Sequence, residues 1–265
     1  MISNYWNINK KIKTKMDGPT QAKPRIKIVH WSDFACPFCY IGDKRLEQVL
    51  EELNIKDRVD LEMKAFQLNK DAPKKQTLKM EEIFSKRNGI SIEGARDRIE
   101  RISGIGKEVG LDIKFANVQF TNTLDAHRLA KYIASQGKDV QKFITLIFIA
   151  YFTDNLNIAD RNLLIEKAAE VGIDKKESAK FLKGKEFIDE IRKEEEEASD
   201  KGIRTVPHYI VNGKYTISSS DKSGMSFVLK QVLQDEESGK KVWMEFSKRR
   251  MSLILIHSYN ECILF

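Results

Sequence analysis

The first hydrophobic segments of the chain predict a strand that leads directly into a helix. Residues 25–31 are rich in the β-branched and aromatic side chains typical of a buried strand. Further along, apolar residues recur at helical spacing: Ile41, Leu46, Val49, Leu50 and Leu53. Between positions 59 and 65 the apolar residues alternate with polar ones, which predicts a second strand.

From about residue 77 the apolar period changes from two to that of a helix. Two apolar stripes end at Gly110 and near Gly137, and a strongly apolar third covers residues 140–151. Asp160 is placed to cap a fourth stripe, and residues 186–199 predict a long last helix. The middle of the chain is therefore predicted to be helical.

Some polar residues near these elements have ordinary structural interpretations. The four consecutive glutamates at 194–197 are interpreted as a solvated helix face. His127 is expected to be a hydrogen-bonded histidine in a seam between helices. His30 ends the first strand, and we assign it no role.

Two short strands follow the helical region. Residues 208–211 and 215–217 flank an Asn-Gly pair, which is the strongest short-range signal for a β-hairpin. Pro207 stands at the mouth of this hairpin after the β-branched Val206. A cis peptide bond at such a position can expose a backbone edge, but only about 5% of prolines are cis. A proline that starts an edge strand is the alternative.

The chain has 265 residues, 41% of them hydrophobic, with five prolines and fourteen glycines. This length and composition exclude low-complexity disorder, collagen and a disulfide-rich miniprotein. The net charge of +7 comes from the ends, because residues 1–27 contain seven basic residues and one acid. From residue 237 onward there are five basic residues and three acids. Since the region between these ends is nearly neutral, we expect no nucleic-acid partner.

Neither end of the chain resembles a targeting signal. The amino-terminal residues lack the apolar run of a secretory signal, and no stretch approaches the ~20 apolar residues of a membrane span. We therefore expect a cytoplasmic protein with no membrane partner. Structural disulfides are uncommon there, so a closely spaced cysteine pair favours catalysis or metal binding.

Two of the three cysteines form the sequence Cys36-Pro37-Phe38-Cys39, where the first strand ends and the first helix begins. Pro37 suits the first helical position. The free N–H groups of a helix start stabilise a thiolate, and C-x-x-C thiols so placed have pKa values of about 3.5–7. Cys36 is expected to be the exposed nucleophile, and Cys39, one turn further, the buried resolving thiol.

The cysteine pair has two alternative interpretations. Half of a zinc site would need partner ligands, but Cys262 lies far away and no second C-x-x-C or H-x-x-x-H is present. Inert core cysteines are the other alternative. A redox-active pair is the favoured hypothesis, with no metal and no bound cofactor.

The chain resembles the DsbA-like branch of the thioredoxin superfamily, specifically its cytoplasmic FrnE-like members. Four separated motifs in the family's order carry the resemblance: residues 31–42, 66–69, 122–129 and 202–213. The family commonly has a Ser-Gly-Ala-like turn after the hairpin, whereas this chain has serines at 218–220 and then Asp221. That departure weakens the case for binding a glutathione-like acidic group, although Ser220 or Asp221 suits a helix N-cap.

The resemblance implies an α/β, thioredoxin-like fold interrupted by a large all-helical domain. The thioredoxin-like domain is expected at 25–76 and 200–236, the inserted helical domain at 77–199, and tails at 1–24 and 237–265. The resemblance also implies a catalytic dithiol, supported by Pro37, Phe38, Val206 and a cis Pro207. Substrate is expected to contact three further side chains: Tyr40, Thr205 and His208.

The leading hypothesis is a thiol–disulfide oxidoreductase or isomerase that acts on protein or small-molecule disulfides. A glutathione-dependent isomerase or transferase, like the 2-hydroxychromene-2-carboxylate isomerases and kappa-class transferases, is an alternative with glutathione as co-substrate. Those enzymes commonly have serine where this chain has Cys36. A chaperone-like holdase is a third hypothesis. The sequence does not indicate an oligomeric state.

Overall fold

The structure is a computed structural model that describes residues 25–238 apart from 76 and 219. The elements follow one another in this order: β1 (Ile26–Ser32), α1 (Pro37–Glu52), β2 (Val59–Ala65), α2 (Met80–Asn88), α3 (Ile92–Glu108), α4 (Leu124–Ser135), α5 (Val140–Phe148), α6 (Arg161–Ala169), α7 (Lys175–Lys183), α8 (Ile188–Asp200), β3 (His208–Val211), β4 (Tyr215–Ile217) and α9 (Lys222–Ser238). A π-helical turn, Ile149–Thr153, extends α5. The predicted tails, with Cys262, lie outside the described residues.

The four strands form one mixed sheet in the order β2-β1-β3-β4. β2 runs parallel to β1, whereas β3 is antiparallel to both β1 and β4. The predicted hairpin is confirmed, because Asn212 and Gly213 turn between β3 and β4 with φ values of 50° and 68°. Three residues, 212–214, connect the strands, and the Lys214 N–H donates to the Val211 carbonyl at 3.0 Å. Positive φ at the two central residues of this turn suits the twist of the flanking strands. These elements confirm an α/β, thioredoxin-like frame.

Two hydrophobic clusters hold the described residues together. One packs α1 and α9 against the sheet through residues such as Ile28, Val49 and Leu229. The other begins at Trp31 and the start of α1 and continues through the helices between β2 and β3. The inserted helices therefore share a core with the first strand and with the cysteine motif.

The predicted helices of the insertion are present, and α2 and α7 are two more that the apolar stripes did not reveal. The interpretation of the glutamate run as a solvated face is wrong for Glu194 and Glu195, which are only 7% and 8% exposed. Glu194 Oε2 accepts the N–H of Ala65 at 2.8 Å, and Glu195 Oε1 accepts that of Gln67 at 3.2 Å. Helix α8 lies along edge strand β2, and its carboxylates bind N–H groups that the sheet leaves unpaired.

Among the residues that the structure describes, no helix is both long and apolar enough to cross a membrane. The predicted domain boundary at 76–77 falls in the connection between β2 and α2, whereas the one at 199–200 falls within the last turn of α8. Those boundaries stay a prediction, since the shared hydrophobic core does not divide there.

Candidate active site

The cysteine motif occupies the turn from β1 into α1, as predicted. Cys36 is the N-cap residue of α1, Pro37 starts the helix, and the Cys36 N–H donates to the Asp33 carbonyl at 3.0 Å. The first turn of α1 carries no acidic side chain. Its unpaired N–H groups and positive dipole end therefore face Cys36.

Cys36 and Cys39 are both free thiols, and both are buried, with 2% and 0% exposure. The expectation that Cys36 is exposed is wrong. The inserted helices pack over the turn and place its neighbours Phe34 and Phe38 in the same core, at 0% and 5% exposure. A substrate disulfide can reach Cys36 only if side chains around the turn move.

The cis-proline segment lies directly opposite Cys36. The Val206–Pro207 peptide bond is cis, and the Val206 carbonyl oxygen lies 3.6 Å from Cys36 Sγ. Gly42 lets this segment approach α1, since a Cβ there would lie 2.9 Å from Pro207 Cγ and 2.6 Å from the Tyr209 hydroxyl. The fold thus brings Cys36 into contact with Val206, although the two residues are far apart in sequence.

The surroundings of Cys39 disfavour its ionised form. Burial, followed by the adjacent Cys36, raises the pKa of the Cys39 thiol well above its ordinary value. Cys39 therefore keeps its proton at neutral pH. A thiol that stays protonated suits the resolving role expected of Cys39.

The three residues predicted to contact substrate differ in how accessible they are. Tyr40 is 8% exposed, and its ring stacks on Phe148 and Phe152 at centroid distances of 5.1 and 6.0 Å. The expectation that Tyr40 contacts substrate therefore does not fit its place in this aromatic stack. Thr205 and His208 are half-buried beside the proline segment, and burial lowers the pKa of His208.

Asp33 is a site residue whose role the sequence pattern did not reveal. Its side chain is 1% exposed, and Oδ1 accepts the Ala35 N–H at 3.3 Å while Oδ2 accepts the Leu68 N–H at 2.7 Å. His127 Nε2 also lies 3.2 Å from Oδ1. His127 is indeed hydrogen-bonded, but to the active-site turn and not within a seam between helices.

A second cluster of polar side chains joins α1 to strands β1 and β3. The Tyr209 hydroxyl donates to Asp43 Oδ1 at 3.3 Å, and His30 Nε2 lies 3.5 Å from the same oxygen. His30 is fully buried and stacks on Tyr209 with a centroid distance of 5.2 Å. The charges of Asp43 and of both cysteines add to burial in raising the pKa of Tyr209, so this group lies close to the dithiol.

The described residues contain no group of three or more histidine, cysteine or acidic side chains arranged to hold a metal ion. The chemistry that the arrangement can support rests on the two thiols, a helix start and a backbone carbonyl. Such a site can exchange thiols for a disulfide.

Comparison with known proteins agrees with this geometry. A family model for the DSBA-like thioredoxin domain matches residues 27–232. The chain is 24% identical over 222 residues to the uncharacterized protein YwbO of Bacillus subtilis, covering 81% of this chain and 99% of YwbO.

Solved structures share the fold. A probable DsbA oxidoreductase from Streptomyces coelicolor superposes with a TM-score of 0.74 at 23% identity, covering 84% of this chain and 95% of its own. A 2-hydroxychromene-2-carboxylate isomerase gives 0.56 at 13% identity, covering 80% and 98% of the two chains. A cytosolic disulfide reductase from Pseudomonas aeruginosa, solved with glutathione, gives 0.55 at 13% identity, covering 78% and 99%. With the family model matched over most of its length, the chain belongs to the DsbA-like thioredoxin domain family.

Proposed function

We propose that this protein is a thiol–disulfide oxidoreductase whose electrons pass through Cys36 and Cys39. The observation that carries the proposal is the contact between Cys36, at the start of α1, and the Val206 carbonyl, 3.6 Å away. The backbone beside Pro207 is then available to hold a substrate chain next to the reacting sulfur.

The proposed reaction is two successive exchanges. The Cys36 thiolate attacks one sulfur of a substrate disulfide and forms a mixed disulfide, and the other substrate sulfur leaves as a thiolate. Cys39 then gives its proton to the thiolate released in the first step, attacks Cys36 Sγ and releases the second substrate sulfur as a thiolate. The dithiol has lost two electrons, the substrate has gained them, and the Cys36–Cys39 disulfide remains.

Reduction of insulin by dithiothreitol, followed by turbidity, tests the proposal. The wild-type protein should accelerate the reaction, and Cys36→Ser should return it to the uncatalysed rate because the attacking sulfur is lost. Cys39→Ser should trap a mixed disulfide that mass spectrometry detects after Cys36 attacks. Full insulin-reducing activity of Cys36→Ser would contradict the dithiol mechanism. If the protein is instead a holdase, Cys36→Ser should still suppress aggregation.

Glutathione-dependent isomerisation or transfer is the second candidate, since isomerase and glutathione-bound reductase structures share the fold. The start of α9 does not favour it. Asp221 Oδ2 already accepts the Gly224 N–H at 2.8 Å, so a glutathione carboxylate would compete with a resident carboxylate for that helix start. Glutathione-dependent turnover of a small substrate without insulin reduction would favour this candidate over the first.

The proposed partners are disulfide-containing proteins or small molecules, and the proposed compartment is the cytoplasm. The cytosolic disulfide reductase that shares the fold supports the compartment. No resident cofactor takes part in the proposed steps. Glutathione enters only as a substrate or reductant.

A further inference from the structure

The Asp33 carboxylate ties two other segments of the chain to the active-site turn. It accepts N–H groups from Ala35 in the turn and from Leu68 after β2, and it contacts His127 of α4. The carbonyl of Asp33 accepts the N–H of Cys36. The position of the attacking cysteine therefore depends on a residue held in part by the inserted helices.

His127 is the contribution of the inserted helices to this arrangement. It is 2% exposed, and its ring packs against Phe34 at a centroid distance of 4.8 Å while Nε2 lies 3.2 Å from Asp33 Oδ1. The other hydrogen bond to that oxygen, from Ala35, is longer at 3.3 Å and comes from within the turn. Loss of His127 would leave Oδ1 without a partner outside the turn.

The Asp33 carboxylate also acts electrostatically on the inserted helices. Burial and, second, the Asp33 carboxylate raise the pKa of Tyr151, which lies in the π-helical turn after α5. A buried carboxylate is stable only when donors surround it. The described donors that reach this carboxylate are two backbone N–H groups and the ring of His127.

We propose that His127 is a positioning residue for thiol–disulfide exchange, which donates Nε2–H to Asp33 and thereby fixes Cys36 at the start of α1. This inference rests on the proposed oxidoreductase function. Small displacements of reacting groups have large kinetic effects, and a misplacement of about 1 Å can slow a reaction about 100-fold. We expect an effect of about tenfold here, since the two backbone N–H groups remain.

Three variants separate positioning from simple stability. Glutamine at position 127 can place an N–H where Nε2 lies, whereas asparagine is too short to do so. Asp125→Asn is the matched control, because Asp125 is also buried on α4 and binds Arg128 and Arg161 without contacting the turn. Each variant is compared with the wild type for iodoacetamide alkylation of Cys36 across pH 4–9, for insulin reduction and for urea stability.

We expect His127→Asn to slow alkylation at pH 6 about tenfold and to move its pH midpoint, and His127→Gln to retain most of the wild-type behaviour. Asp125→Asn should lose stability with an unchanged alkylation profile. An unchanged profile in His127→Asn would overturn the proposal, as would equal defects in the glutamine and asparagine variants. Absence of insulin reduction by the wild type would contradict the proposed function, while the alkylation result would still report on His127.

If His127→Asn does not fold, the wild-type protein itself provides the test. Nitrogen-15 spectra of the histidine rings distinguish the Nε2–H from the Nδ1–H form, and His127→Gln assigns the signal. The proposal requires a proton on Nε2 of His127 and a change in its resonance between the dithiol and disulfide forms. A ring protonated only on Nδ1 would overturn it.

Discussion

Asp43, which is half-buried, and His30, which is fully buried, are two titratable groups in contact beside the dithiol, and their environments shift their pKa values in opposite directions. Burial raises the pKa of Asp43 from 3.8 to about 7, although the Tyr209 hydroxyl bond opposes this change. Burial lowers the pKa of His30 from 6.5 to about 4. Both residues are therefore mainly neutral between pH 4 and 7.

The two shifts affect stability with opposite signs. The folded state holds a proton on Asp43 that the unfolded chain lacks, so this residue reduces stability as pH rises from about 4 to about 7. The folded state excludes a proton from His30, so stability falls as pH drops from 6.5 to about 4. In the wild type the two contributions largely cancel over this interval.

Asp43→Asn should remove the contribution of Asp43 to the pH dependence of stability and leave that of His30. Asparagine keeps an oxygen for Tyr209 but carries no charge, so the variant should be more stable than the wild type at pH 8 by about 2 kcal/mol. This free-energy difference is smaller than the full change in the pKa of Asp43 would give, because the Asp43 side chain is 21% exposed and solvent screens its charge. Its stability should then fall as pH drops from 6.5 to about 4, following His30 alone.

Urea unfolding at pH 4, 6 and 8 measures this effect. Asp112→Asn is a suitable control, because the Asp112 side chain is 62% exposed and distant in sequence from this group. A variant at position 43 that gains no stability at pH 8, or whose advantage does not change with pH, would contradict the prediction.

At the scale of the elements, helix α8 protects the edge of the sheet with carboxylates. Glu194 accepts the Ala65 N–H and forms an ion pair with Lys131 of α4. The backbone carbonyl of Glu194 also accepts the indole N–H of Trp31 at 2.9 Å. One residue of α8 therefore joins β1, β2 and α4.

Glu194→Ala should destabilise the protein by about 2–4 kcal/mol, because it leaves the buried Ala65 N–H without its acceptor and removes the nearer of the two carboxylates paired with Lys131. Glu196→Ala on the same helix should change the free energy of unfolding by less than about 0.5 kcal/mol, since Glu196 is exposed. Urea denaturation of both variants at pH 7 compares them. Equal stabilities would show that the Glu194 carboxylate does not stabilise the edge strand.

These elements also show what the sequence could predict. Local periodicity identified both β1 and α1 because their signals lie within a few residues. The prediction of a solvated face for the glutamate run is wrong because it follows from charge alone, without regard to which side of the helix each glutamate occupies. Ile191, Glu194, Glu195 and Ala198 follow the i, i+3, i+4, i+7 spacing of a buried helix face, and that spacing was the available signal.

The site was predictable to a similar extent. The cysteine motif and the proline after α8 were recognisable from local sequence and from family resemblance. The contact between Asp33 and His127 joins residues 94 positions apart, and no local pattern links them. The burial of Cys36 was also not predictable, because it results from helices that pack over the turn only in the folded chain.

At the scale of the whole molecule, the inserted helices and the thioredoxin-like frame share one core around the active site. The Phe34 ring lies 5.5 Å from that of Phe148, and Tyr40 stacks on the same ring at 5.1 Å. The two regions also meet through Trp31 and the α8 carbonyl at Glu194. Unfolding of the insertion alone would expose these aromatic residues and leave the indole N–H unpaired.

The described part of the chain should therefore unfold as one cooperative unit. In reduced protein, far-UV circular dichroism reports mostly the inserted helices, and pulsed alkylation of the peptide containing Cys36 and Cys39 reports the active-site turn. We expect both signals to change at the same urea midpoint, since coincident probes indicate a two-state transition. Loss of the helical signal at a lower urea concentration than thiol exposure would contradict this prediction. It would show that the insertion is an independent domain, because the dithiol would then stay buried without the aromatic contacts of the shared core.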